Sequence, residues 1–343
     1  MSEDSYDAVL VVSFGGPESR EDVIPFLENV LRGKPVPRER MLEVAEHYYH
    51  FDGVSPINAQ LRELIDALGG ELQRHGIGLP IYWGNRNWHP FLADTMRQMA
   101  ADGRRRALAH VTSAYSSYSG CRQYLENIEA ARAEVGTAAP VVDKLRVFYN
   151  HPGFIEATAA RVREAIEHFP PAAHSGLRVL FTAHSIPVAM AEHCDYQQQL
   201  CETAELVAEK LQLAHGELVF QSRSGPPAQP WLEPDVSAAI RGLSGQAGLT
   251  GIVLAPIGFL SDHLEVLYDL DVEAAGVCAE VGIPMVRAGT VGTHPRFVRL
   301  IRELIEERLD PAAPKLAMGR YGPSHDICPS DCCRYPVRRP PSG

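Results

Sequence analysis

Short, uninterrupted apolar runs alternate with longer amphipathic stretches along most of this chain. Asp7–Phe14 reads as a buried strand, ended by Gly15, Gly16 and Pro17. An amphipathic stretch follows to about Leu31, with Ser19 and Asp22 as a candidate helix cap. Helical periods cover Arg38–Phe51, Pro56–His75, Pro90–Ala101 and Cys121–Val135, and strand-like runs cover Leu79–Trp83, Ala107–Ala114 and Leu145–Tyr149. The second half repeats the rhythm. Its strands are expected at Leu177–Ala183, Glu217–Gln221, Gly251–Gly258 and Pro284–Ala288. Its helices are expected at Thr203–Leu213, Pro234–Leu243, Asp262–Glu280 and Pro295–Leu309. Both halves open alike, VLVVSFGGP against VLFTAHSIP.

Alternation of this kind predicts βα units and parallel sheets, hence an α/β fold. Two similar domains are expected, over residues 1–150 and 151–310. The remainder, 311–343, is rich in Pro, Arg and Cys and has neither period. Such a tail cannot fold alone and needs something to tie it down. In parallel sheets ligands sit at the carboxyl ends of strands, so the residues just after each strand are the candidates for chemistry.

Composition adjusts this picture. With 343 residues, 45% hydrophobic and 22% charged, the chain is ordinary globular protein with room for two cores. Its net charge of −11 argues against a nucleic-acid footprint, which needs a basic surface. No apolar run approaches the roughly 20 residues of a membrane span. Met1–Tyr6 lacks the basic and apolar blocks of a signal peptide, so a cytoplasmic location is expected. Seven cysteines, unevenly placed, suggest metal before disulfide in such a compartment.

Three strand exits carry candidate chemistry. Thr182–Pro187 puts His184 at the end of a buried run, where the bland alternative is a histidine satisfied by a turn. Pro256–Glu265 ends another run, and from Glu265 the acids recur at Asp269 and Glu273. Spaced by four, they share one helical face, either solvated or built to handle a cation. Asp262 and His263 begin the same turn. The third exit, Gln221–Pro227, is crowded with polar and rigid residues and by itself reads as a structured loop.

SFGGP, GVSPIN, FTAHSIP, QSRSGPPAQPWLEPDV and PIGFLSDHLEVLYDLD stand in this order over about residues 6–310. Together they resemble the ferrochelatases, enzymes that insert ferrous iron into a porphyrin. The resemblance implies two Rossmann-like, chelatase-type domains with a porphyrin cleft between them. It implies that His184 faces the porphyrin centre and Glu265 sits opposite, the two acting as catalytic residues and Fe2+ ligands. Imidazole and carboxylate together suit borderline ferrous iron, and a histidine is a suitable acceptor for pyrrole protons. Asp269 and Glu273 extend the acidic row as a metal or proton path. Ser55 and Tyr124 fall at porphyrin-contacting positions. Arg32 and Lys34 are candidates for pairing with propionates, against the alternative of a solvated loop. Phe14 stands where some relatives carry an iron-binding tyrosine, a role phenylalanine cannot fill.

Some ferrochelatases hold a 2Fe-2S cluster with one cysteine of the first domain and three near the C-terminus. By that resemblance Cys121, Cys328, Cys332 and Cys333 are the ligand set. Zinc on the same thiolates, or a disulfide between two of them, are the competing readings. Adjacent Cys332 and Cys333 both reach one cluster only if the backbone turns sharply, and Pro329, Ser330 and Pro336 suit such a loop. Cys194, Cys201 and Cys278 read as ordinary thiols. The resemblance is to the bacterial, actinobacterial-type branch acting on coproporphyrin III. The expected product is coproheme, for a downstream decarboxylase. A protoporphyrin IX chelatase, a cobalt chelatase for sirohydrochlorin and a non-catalytic haem or porphyrin carrier are the rivals.

Overall fold

The computed structural model describes residues 5–34, 36–214, 216–226 and 228–335. The end of the tail, Pro336 included, lies outside them. Eight strands form two parallel sheets: β1 (Ala8–Ser13), β2 (Ile81–Asn85), β3 (Arg106–Val111) and β4 (Val141–Lys144), then β5 (Leu177–His184), β6 (Gly216–Gln221), β7 (Gly251–Ala255) and β8 (Met285–Arg287). Strand order is β2-β1-β3-β4 in the first and β6-β5-β7-β8 in the second. The two halves therefore share one topology, as the matching openings predicted.

The helices are α1 (Val23–Val30), α2 (Arg38–Tyr49), α3 (Ile57–Arg74), α4 (Leu92–Ala101), α5 (Gln123–Val135), α6 (Pro152–Ile166), α7 (Val188–Ala191), α8 (Tyr196–Leu211), α9 (Val236–Leu243), α10 (Leu264–Val266), α11 (Ala275–Glu280) and α12 (Pro295–Leu309). Strand alternation distributes the cores. Val9 and Val11 of β1 face a central cluster that also takes Val179 and Phe181 of β5. Ala8, Leu10 and Val12 face a separate layer with Met96 and Met99 of α4. All six β1 residues are buried, the signature of a strand covered on both faces.

Helix α12 packs on α6 of its own half and on α3 of the first. Arg302 of α12 meets Glu71 of α3 at 3.0 Å. Arg146, just after β4, makes a two-pronged pair with Glu307 of α12 at 2.7 and 2.8 Å, and both side chains are almost wholly buried.

Several expectations need correction. Leu145–Tyr149 is not a strand: β4 ends at Lys144, and the apolar run behind it is buried irregular chain. A short apolar run announces burial, not strand geometry. Helix α6 had no predicted counterpart, although Pro152 stands in its first turn and His151 Nδ1 accepts from Gly153 N. Helix α8 starts at Tyr196, ahead of the expected Thr203. Ser19 does not cap α1. Asp22 holds the N-cap position without capping, and its carboxylate accepts from Glu18 N. The stretch Asp262–Glu280 is not one α-helix. Leu267–Ala274 is π-helical between α10 and α11, and Tyr118–Arg122 is a second π-turn leading into α5. A 3.6-residue period cannot register the residue that a π-turn absorbs, and such turns concentrate at functional sites.

Candidate active site and thiol cluster

His184 is the last residue of β5, in register with Gln221 of β6. Its Nδ1 lies in hydrogen-bonding contact with the carbonyl of Ser185. A carbonyl only accepts, so Nδ1 carries a proton, and in the neutral ring the lone pair falls to Nε2. That Nε2 lies 3.7 Å from Glu265 Oε1. The other oxygen of Glu265 lies 3.6 Å from His263 Nε2. One carboxylate thus sits between two imidazoles. Burial pushes the Glu265 carboxyl up, but His184, His263 and His47 together outweigh it and hold the group below its ordinary value.

Asp269 follows on the π-turn. Gln221 Nε2 donates to its Oδ2 at 3.2 Å, and the Ser222 hydroxyl donates to the same oxygen. The third polar segment is thereby given a job: its first two residues hold Asp269. Burial, then Glu265 and Glu273, push the Asp269 carboxyl up from 3.8 to about 7, against the opposing hydrogen bonds. Glu273 adds to the same field, so the three acids do converge. Asp262 does not join them, because Arg287 binds it at 3.0 Å and Asp271 at 2.7 Å.

The first half closes over this row. His47 of α2 stacks on Tyr268 of the π-turn, ring centroids 3.8 Å apart and nearly parallel. Gln60 of α3 accepts from the backbone N–H of Asp262 at 2.8 Å. Tyr48 reaches the field of Glu265 and Asp269 and packs on Phe26 at 5.8 Å. Phe26 in turn meets Phe14 at 6.2 Å, linking the acidic row to the strand exits of the first sheet.

There Arg86, just after β2, lies over the rings of Phe14 (5.5 Å) and Tyr124 (5.0 Å), geometry for cation–π contact. Its Nε is buried without a hydrogen-bond partner. Partial burial, and then the like charge of Arg86, lower the Lys34 ammonium. Lys34 thus lies within the field of Arg86; both Lys34 and Arg32 are exposed, and Arg32 donates to the Asn29 side chain. Ser55 is buried against Gly16, where any Cβ would lie 2.8 Å from the Ser55 hydroxyl. Only glycine allows that approach.

The sequence reading missed Arg86, the pairing of His263 and the support from Gln221 and Ser222. Arg86 follows a parallel strand as His184 does, so position alone could have raised it.

A second constellation forms at the tail. Residues 311–335 contain turns but no helix or strand. Asn150 Nδ2 donates to the carbonyls of Met318 (3.2 Å) and Gly322 (2.8 Å), Arg146 to that of Leu316 (2.9 Å), and Glu202 accepts from Arg320 N. The chain then delivers its cysteines to the first sheet. Cys121, in the π-turn, contacts the thiols of Cys328 and Cys333. Cys332 and Cys333 have their sulfurs 3.6 Å apart, and Cys333 takes φ +52°, the left-handed turn that adjacent inward thiols demand. Every cysteine is free, including the four here.

Two thiolates on one tetrahedral metal, with bonds of about 2.3 Å, lie roughly 3.8 Å apart. The sulfurs of Cys332 and Cys333 have that spacing, and among the described residues His325, Cys328 and Cys332 have their donor atoms within 4.8 Å of one another, a soft donor set that suits a bound metal group. Hydrogen bonds from Cys328 and Cys333, aided by Lys144, lower the Cys121 thiol, and the same contacts raise those of Cys328 and Cys333. Cys194, Cys201 and Cys278 stay apart, each with its thiol raised by burial.

Two like parallel sheets with a histidine and a carboxylate at their strand exits define a chelatase-type protein. A sirohydrochlorin chelatase from Bacillus subtilis, SirB with Fe3+, shares the architecture at a TM-score of 0.56 and 13% identity, over 91% of this chain and 99% of that one. Residues 6–309 match the family described as Ferrochelatase, and the chain belongs to that family. It is similar to a ferrochelatase of Rhodopirellula baltica, 60% identical over 98% of this chain and 95% of that protein. It is also similar to a coproporphyrin III ferrochelatase of Nocardia farcinica, 51% identical over 97% and 98%. The chain is accordingly a metal-chelating enzyme. No helix among the described residues is long and apolar enough to cross a membrane.

Proposed function

We propose that this ferrochelatase inserts Fe2+ into coproporphyrin III, giving coproheme. The observation that carries the reading is the Glu265 carboxylate held between His184 and His263 at the exits of β5 and β7. Metallation must remove two pyrrole protons while Fe2+ enters. His184 Nε2 is the acceptor for the first, since Nδ1 is committed to Ser185. Glu265 stabilises the imidazolium that results. Asp269, raised to about 7, takes a proton onward near neutral pH, and Glu273 continues the row. Glu265 and His184 are also the donors that meet Fe2+ on entry.

Coproporphyrin III carries four propionates. Lys34 and Arg86, with Tyr124 under the Arg86 guanidinium and Ser55 at Gly16, are the candidate donors for them. Phe14 leaves axial iron ligation on that side unfilled. The names of the Nocardia relative and of its Streptomyces coelicolor counterpart support the same substrate. The four thiols hold a 2Fe-2S cluster in this reading. When bound it supplies a one-electron centre and a clasp between tail and first sheet. The reading keeps the enzyme in the cytoplasm, where a decarboxylase consumes coproheme.

The test is anaerobic iron insertion with coproporphyrin III and protoporphyrin IX side by side. Rapid loss of free coproporphyrin III, slower with protoporphyrin IX and reduced at least 100-fold in His184→Ala, is expected. Equal use of protoporphyrin IX would overturn the substrate. Bound haem without turnover would make the chain a carrier.

A further inference from the structure

The thiol cluster contains a fifth donor. His325 Nε2 lies 3.9 Å from Cys332 Sγ. His325, Cys328 and Cys332 have their ligating atoms within 4.8 Å of one another. Four thiols already complete the set for a 2Fe-2S cluster, so the imidazole is left over. The surroundings are lopsided. Cys121 and Cys333 are 4% exposed, whereas Cys332 is half-buried and His325 exposed. The imidazole thus stands at the open side, against a half-buried sulfur.

We propose that His325 donates an N–H···S hydrogen bond to the Cys332 thiolate and so raises the reduction potential of the cluster. This rests on the 2Fe-2S reading above. Reduction adds an electron whose charge spreads onto the cysteine sulfurs. A donor aimed at one of them stabilises the reduced form more than the oxidised one. His325 is then a positioning residue. It binds no iron, and it also pins Cys332 where the chain would otherwise splay into solvent. Its loop is fixed from both sides. Lys315 pairs with Asp326, and Arg122 of the first half donates to Ser330 O at 3.1 Å.

The test uses the full-length protein, purified anaerobically, with His325→Leu and His325→Gln. Spectroelectrochemistry reads the potential, and pulsed electron paramagnetic resonance of the reduced, 15N-histidine-labelled protein reads nitrogen coupling. A lower potential and a shifted visible band in the leucine variant are expected, with a value near wild type in the glutamine variant. In the wild type the nitrogen coupling should be weak, as for a hydrogen-bonded ring. An unchanged potential in the leucine variant overturns the proposal. Strong nitrogen coupling, the mark of direct ligation, does so too, and this result stands even if the leucine variant fails to load. Wild-type protein with zinc instead of sulfur-bound iron overturns the cluster reading itself, which separates the two failures.

Discussion

At the scale of single residues, the site is a balance between burial and opposing charge. Glu265 and Asp269 stand four apart, yet their carboxyls move in opposite directions. Glu265 has imidazoles around it and stays low. Asp269 has other acids and only neutral donors, and rises to about 7. The fold therefore favours protonated Asp269. Its contribution to stability is fully present below pH 4 and is lost as pH rises through about 7. Asp269→Asn removes that loss. Its melting temperature relative to wild type should climb between pH 4 and 7 and level off above, measured by calorimetry across that range. A constant difference would show that Asp269 does not titrate there. His184, Glu265 and the acidic row stood out in the sequence as candidates, because strand exits in parallel sheets are where chemistry collects, and the resemblance supplied their expected roles. Arg86 stands at the same kind of strand exit and was passed over, since one arginine among many carries no period. Its orphaned Nε and two flanking rings appear only once β1, β2 and α5 are side by side.

At the scale of elements, strands read better than helix interiors. Seven of the eight strands fall on their predicted apolar runs to within a few residues, because a strand buried on both faces writes a continuous apolar word. The run at Leu145–Tyr149 misleads for the same reason: it is buried against the core without pairing as a strand. The π-turns were invisible, although both lie at candidate sites, one presenting Cys121 and the other Asp269 and Glu273. Helix α12 reads plainly as amphipathic, but its polar side is not all solvated. Glu307 is buried with Arg146. Removing one member of such a pair strands the other charge. Glu307→Ala should cost about 3–5 kcal/mol, read as a lower urea midpoint. A change under about 1 kcal/mol, the range of an exposed pair, would mean water reaches Arg146.

For the whole molecule, the tail is fastened twice. Asn150, Arg146 and Glu202 hold residues 316–322 through backbone hydrogen bonds, and the cysteines hold 328–333. The sequence announced the second fastening through its cysteines and gave no hint of the first, which uses main-chain groups that every residue owns. Cys121→Ser should therefore abolish the visible absorption of the proposed cluster and leave the amide of Arg320 protected from hydrogen exchange. Loss of protection at Arg320 would show that the cluster alone secures the tail.

The crossing of α12 over α3 bears on how a flat, rigid macrocycle gets in. Arg302–Glu71 and Arg146–Glu307 rivet the halves together from behind the strand exits, and the central core is continuous through both. Jaws hinged at the back would have to tear that seam. Helix α2, packed on the first half through Met41, Ala45 and Tyr48, adds a tie to the second through the flat stack of His47 on Tyr268. The enzyme is better pictured as a solid vise than as a clamshell, its two sheets held together by the salt bridges and the core they share.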